Sequence, residues 1–315
     1  MKLAHKIAGT VILPLAAVAM ASSAHAASWK IDSLNTEVGI GGYVKLEARS
    51  IDKESGADDF LMHAKQTRFN LSTKTATSYG DIKTFIEMDF YGNQEGTDSN
   101  SKLNPRMRHA AVMWDGWLAG QYWSTFSTFE GMAETLDFVG VTGKSVHLER
   151  NAQLAKTLNF GQAGKLTLGI EDRNQSGDST SPDPAIKYAN AFGPLAFSLA
   201  AQNYEKADDT KTRVGAGAKL SLGSATLQAG YTDDEDNYDA VSGAIKVKFN
   251  DSLRANLVYE NVDFETGTDY DQAWANLIYK TGYGVEVGGE YSVKMYDDAI
   301  DSKDHIVQVD VKYAF

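Results

Sequence analysis

The chain has 315 residues, no cysteine, 28 glycines against 5 prolines, and 30 basic against 42 acidic residues for a formal charge of −12. The missing cysteine excludes disulfide scaffolds, Cys-ligated zinc or iron–sulfur sites and thiol catalysis. The acidic balance argues against a nucleic-acid partner, and a mean hydropathy of −0.34 against a bundle of apolar helical spans of about 20 residues each.

Met1–Ala26 reads as a secretory leader. Lys2 and Lys6 supply a positive start, Ile7–Met20 is a short apolar stretch, and Ala24-His25-Ala26 has the A-x-A form that signal peptidase accepts. Its removal leaves one domain over 27–315. Because the leader has two lysines and no acid, the charge becomes −14.

After residue 26 the recurring pattern is period two. Ile82, Thr84, Ile86, Met88 and Phe90 alternate with Lys83, Phe85, Glu87 and Asp89. Val241, Ile245, Val247 and Phe249 alternate with Ser242, Lys246, Lys248 and Asn250, and Val307, Val309, Val311, Tyr313 and Phe315 with Gln308, Asp310 and Lys312. Such alternation, broken by Gly, Asp and Asn clusters, predicts strands with one apolar and one polar face. In chain order they fall at 38–50, 63–75, 80–92, 105–114, 117–124, 147–158, 164–173, 184–191, 195–206, 212–222, 225–232, 240–249, 254–264, 272–280, 285–295 and 305–315. Sixteen is an even number, as antiparallel closure with both termini on one side requires.

Three features favour a membrane barrel over a soluble sandwich. Tight connections (Gly193-Pro194, Asp251-Ser252, Thr281-Gly282) trade places with long acidic ones (Asp233–Asp239, Tyr296–Asp304), the asymmetry of periplasmic turns and external loops. Aromatics at strand ends, Trp114, Trp117, Tyr231, Tyr259, Trp274, Tyr279 and Tyr291, suit interfacial girdles. The chain stops on Phe315 with Tyr313 and Val311 on the same face, which resembles the C-terminal signal that the barrel-assembly machinery reads. The expected fold is all-β: a 16-stranded antiparallel transmembrane β-barrel with an inward-folded third external loop.

That loop, Ser124–Val146, contains Phe126, Phe129 and Phe138 and the acids Glu130, Glu134 and Asp137. Rings so numerous are costly to leave in water, so the loop is expected to fold into the lumen, narrowing it, with its acids in the channel. In the predicted registers Arg68, Arg106, Arg108 and Arg150 point inward, as do Lys45, Arg49 and Lys83. A charge facing lipid at mid-bilayer costs roughly 2–4 kcal/mol, so these residues should line water. Clustered arginines bind carboxylates through paired hydrogen bonds, and arginines facing acids set up a field that sieves solutes by charge. An anion-preferring constriction is therefore expected. Acids crowd the external connections instead (Asp58-Asp59, Asp208-Asp209, Asp233–Asp236, Asp269–Asp271, Asp297-Asp298).

Several of these segments are similar to the DcaP-like outer-membrane porins, a family linked to uptake of dicarboxylic acids. The resemblance is carried by Gly42-Tyr43-Val44-Lys45-Leu46, Arg68-Phe69-Asn70-Leu71, the run from Ile82 to Phe90, Arg106-Met107-Arg108-His109-Ala110, Gly120–Phe126, Leu136-Asp137-Phe138 and Arg150. It spans about 40–155 and fades to bare barrel pattern afterwards. It implies a homotrimeric porin in the outer membrane of a Gram-negative cell whose basic lumen wall maps to Arg68, Arg106, Arg108 and Arg150. Some members carry a helical extension before the barrel; here the first predicted strand follows soon after Ala27, and no such extension is expected.

Three alternatives stand beside a channel for small anionic solutes. A cation-preferring or non-selective porin would suit the −14 charge. A barrel enzyme would need a nucleophile, base and orienting group on the outer surface. Of the four histidines after the leader, His63, His109, His147 and His305, His109 is expected to point outward beside Met107 and Ala111, with no serine partner. A structural barrel or adhesin would not need an inward loop. No cofactor and no metal site is expected, since Asp233-Asp234-Glu235-Asp236 lacks the glycine spacing of a calcium loop. Expected partners are outer-membrane lipid and lipopolysaccharide, the barrel-assembly machinery during biogenesis, two further copies of the chain, and solutes in transit.

Overall fold

The computed structural model describes residues 27–54, 56–92, 104–137, 143–173, 180–206, 209–235, 237–297 and 302–315. The expected leader over 1–26, Phe138 of the third loop, and the acids Asp208, Asp236 and Asp298 lie outside them. Eighteen strands are described: β1 Ala27–Ile31, β2 Thr36–Lys53, β3 Asp59–His63, β4 Arg68–Thr77, β5 Gly80–Asp89, β6 Arg106–Trp114, β7 Trp117–Trp123, β8 Arg150–Asn159, β9 Lys165–Asp172, β10 Asp183–Phe192, β11 Leu195–Lys206, β12 Asp209–Leu222, β13 Ala225–Asp234, β14 Tyr238–Lys248, β15 Leu253–Phe264, β16 Tyr270–Lys280, β17 Val285–Tyr296 and β18 Lys303–Ala314. Sixteen of them, β2 and β4–β18, pair in chain order with antiparallel neighbours. The sheet closes where β18 meets β2, from Asp304 opposite Lys53 to Ala314 opposite Tyr43. Closure satisfies the edge hydrogen bonds that a membrane would leave unmet.

Each predicted strand overlaps one of these sixteen. The two additional strands both lean on β2. β3 pairs with its upper half, Glu47–Ile51, and β1 folds back on its lower half, Thr36–Ile40. Just above β1 the chain end is tied down, the Phe315 amide donating to Gly42 O (3.0 Å) and the Gly42 amide to Phe315 O (3.1 Å).

The core of this fold is inverted relative to a soluble protein. Along β18, Val307, Val309, Val311 and Tyr313 are exposed while Gln308 and Asp310 are buried. Apolar side chains thus meet lipid and polar ones meet the lumen, the dyad period of a membrane barrel. Trp114, Trp117, Tyr231, Tyr259, Tyr279 and Tyr291 are exposed on the outside, as the girdle expectation requires. Trp274 is a correction. It is only 3% exposed and packs with Ala133 of the third loop and Val258, because the alternation of β16 puts Gln272, Trp274 and Asn276 on the buried inner side.

His109 is a second correction. A bulge between Glu87 and Met88 on β5 sets His109 opposite Glu87 and Met107 opposite Met88, leaving Arg108 as the extra residue. A bulge turns adjacent residues to one side, so Arg108 and His109 both face inward. His109 is buried against Tyr122, with ring centres 4.6 Å apart.

Candidate channel constriction

The connection from β7 to β8 runs along the inner wall. At its start the Ser124 hydroxyl and the Thr125 amide donate to Glu171 of β9 (2.8 and 2.5 Å). Glu130 then accepts from Ser198 of β11, and Met132 O from Gln228 of β13. Further along, the Leu136 and Asp137 amides donate to Glu290 of β17 (2.8 and 3.0 Å). On the way back the Ser145 amide donates to Glu260 of β15 (3.1 Å). Wall glycines make this close approach possible. A Cβ on Gly217 would stand 2.5 Å from Thr128 O, one on Gly230 2.8 Å from Val146, and one on Gly288 2.7 Å from Leu136.

Glu134 is the loop's main anchor. Arg254 of β15 grips it from two nitrogens (Nη2 to Oε1 2.8 Å, Nε to Oε1 3.0 Å) and Lys246 of β14 adds a third contact at 2.6 Å. Burial would raise this carboxyl, but the Arg254 hydrogen bonds and the Lys246 and Arg254 charges outweigh it and hold the group at about 2. Charge-assisted, bidentate contacts of this kind are the strong ones.

The loop thus lies mainly against β9–β17, touches β2 through Lys45 and Arg49 and β8 through Gln153, and makes fewer contacts along β4–β7. There the expected arginines gather around two acids of β5. Arg106 forks onto Asp89 (Nε to Oδ1 3.0 Å, Nη2 to Oδ2 2.7 Å). Arg108, 1% exposed, spans Glu87 at 2.7 Å and Asp89 at 3.1 Å. Arg68 reaches Glu87 at 3.8 Å, and its buried Nε has no hydrogen-bond partner. Arg150 makes no described ion pair; its guanidinium lies 4.7 Å from the centre of the Trp123 ring, which Arg108 approaches to 5.7 Å. Arg68 lies over Tyr43 at 5.3 Å and Arg106 over Tyr91 at 5.5 Å. Each of the four guanidiniums therefore has an aromatic ring beside it, and four positive charges meet two negative ones.

Lys45 and Arg49 of β2 form a second group with the loop. Lys45 Nζ donates to Leu136 O (2.8 Å) and pairs with Asp310 of β18; Arg49 faces Asp137 at 3.5 Å. Lys83 stands apart, exposed near the opposite end of β5. Of the three loop acids, Glu130 is buried toward the wall, Glu134 is held by wall cations, and Asp137 meets Arg49.

Reading residues one at a time misses Glu87 and Asp89 as partners, Trp123, Tyr43 and Tyr91 as supports, and Arg254 with Lys246 as the loop's anchor. The signal for the first pair was available: Glu87 and Asp89 share the inner face of a strand whose neighbours carry Arg68, Arg106 and Arg108.

A family model described as Gram-negative porin matches residues 14–315. The fold is similar to that of the outer membrane channel DcaP of Acinetobacter baumannii, with a TM-score of 0.79 and 24% identity over 92% of this chain and all of that one. It is also similar to an anion-selective porin from Comamonas acidovorans (TM-score 0.70, 14% identity, 89% of this chain and all of that one) and to OmpF of Salmonella typhi (0.67, 14%, 92% and all). No curated protein matches the sequence. A closed barrel with lipid-facing aliphatics, a charged lumen crossed by one long loop, and a family match over nearly the whole length lead to one conclusion: the chain belongs to the Gram-negative porin family and forms an outer-membrane channel for small solutes.

Proposed function

We propose that this channel favours small anions, mono- and dicarboxylates among them, and that Arg68, Arg106 and Arg150 line the passage that selects them, with the buried Arg108 adding its charge from within the wall. The observation that carries the reading is the imbalance on the β4–β8 wall: four guanidiniums around Glu87 and Asp89, with Arg150 outside any described ion pair. Opposite them Glu134 is neutralised by Arg254 and Lys246, so the loop's charge does not cancel the excess. A guanidinium keeps its charge even when buried and offers paired donors that fit a carboxylate. The Comamonas acidovorans relative in fold is an anion-selective porin, which agrees with this reading.

The mature chain, 27–315 after loss of the leader, acts as a passive channel without catalysis, as a homotrimer in a lipid and lipopolysaccharide bilayer, with Phe315, Tyr313 and Val311 as its signal to the assembly machinery. The test of selectivity is uptake into proteoliposomes. Succinate should enter faster than a neutral solute of similar size, and that solute faster than a diamine; the reverse order contradicts the proposal.

A further inference from the structure

Beside the arginine wall, at the external end of β9 and β13–β15, a cavity of about 340 Å³ opens between the returning limb of the third loop and the barrel. Its lining includes Lys144, Glu149, Arg173, Asp234, Tyr238 and Phe264. The two acids are already occupied. Glu149 lies 3.2 Å from Arg213 Nη2 and 3.0 Å from His147 Nε2; Asp234 accepts from the Tyr204 hydroxyl and from Asn237 at 3.1 Å. The two cations are not. Lys144 Nζ stands 4.3 Å from the centre of the Tyr238 ring and 5.3 Å from that of Phe264. Arg173 lies 3.9 Å over Tyr204, and its buried Nε has no hydrogen-bond partner. Neither cation has a carboxylate within 4 Å among the described residues.

A ring face steadies a cation without consuming its N–H donors, and a concave, partly enclosed site strengthens the attraction of unpaired charge for an anion. The rings add an apolar surface, and the volume falls within the range of small-molecule sites. We propose that this cavity is a staging subsite for a small organic carboxylate, which binds its charged end on Lys144 and Arg173 and rests its carbon skeleton against Tyr238 and Phe264 before crossing to the arginine wall. The proposal extends the anion reading of the channel and rests on it.

The experiment uses the full-length protein in planar bilayers, with succinate added as the probe to a potassium chloride solution. Succinate should interrupt the current through the wild-type channel. Lys144→Gln with Arg173→Gln should shorten those interruptions roughly tenfold, as expected for the loss of charge-assisted hydrogen bonds. Lys144→Arg should preserve them. If the double variant does not assemble, Lys144→Gln alone, a change confined to the loop, carries the same test. Interruptions of unchanged length in either variant, or none in the wild type, would overturn the subsite. The reversal potential of the same wild-type channels reads selectivity separately, so a cation preference would overturn the anion reading on its own signal.

Discussion

Arg150 rests its guanidinium 4.7 Å from the centre of the Trp123 indole and is in no ion pair among the described residues. Arg106, two strands away, is held by Asp89 through two hydrogen bonds of 3.0 and 2.7 Å. The two arginines thus do different work. Arg106 is part of a compensated pair in the wall, while Arg150, outside any described ion pair, supplies the excess charge on which the proposed anion preference rests.

Replacing Arg150 with Gln should therefore lower anion preference while leaving the barrel as stable as before, since no buried acid loses its partner. The check pairs a reversal-potential measurement with a denaturant melt of the same preparation. A large stability loss would mean that Arg150 holds the wall together.

Arg106→Ala has the opposite expectation. It strips Asp89, 0% exposed, of its bidentate partner, and breaking such a buried pair costs about 3–5 kcal/mol. Arg108 retains one contact to Asp89 at 3.1 Å, which places the loss at the lower end. Urea unfolding of the refolded barrel reads it; Arg106→Ala with Asp89→Asn should recover part of the loss.

Gly217→Val tests the path of the third loop. A Cβ at Gly217 would come within 2.5 Å of Thr128 O and 2.8 Å of Gly131 N, both on the loop, so valine must push the loop toward the arginine wall. Strand pairing in β12 is not disturbed. Single-channel conductance should fall while the barrel still resists denaturation by cold detergent. Unchanged conductance would place the loop elsewhere.

The Glu134 anchor has a defined acid range. Its carboxyl sits at about 2 in the folded protein against 4.5 when free. A depressed value means that its contribution is complete above about 4.5 and is lost as the pH falls through about 2. The excess open-channel noise of Glu134→Gln over the wild type should thus stay constant between pH 7 and about pH 5. Glu134→Gln, which weakens the anchor at every pH, should raise the noise already at pH 7.

Much of this was legible before any coordinates. Period-two alternation located all sixteen barrel strands because lipid outside and water inside impose it on every strand that crosses. Departures occur where a local event interrupts the period. The bulge at Glu87 turned His109 inward, and Trp274, expected among the girdle aromatics, belongs to the inner face that the loop covers. β1 and β3 escaped notice because both are short, and β-pairing along β2 rather than an amphipathic pattern holds them. Residue type and face identified the arginines. Which acids hold them depends on cross-strand register, and the loop's anchor joins Glu134 to Arg254 across 120 residues of chain; neither relation is written in local spacing.

The most direct test of the channel's selectivity is the reversal potential of the purified protein in a planar bilayer separating concentrated from dilute potassium chloride. An excess of unpaired arginine charge in the lumen predicts a sign set by chloride, with chloride more permeant than potassium. A potential of the sign set by potassium would contradict it.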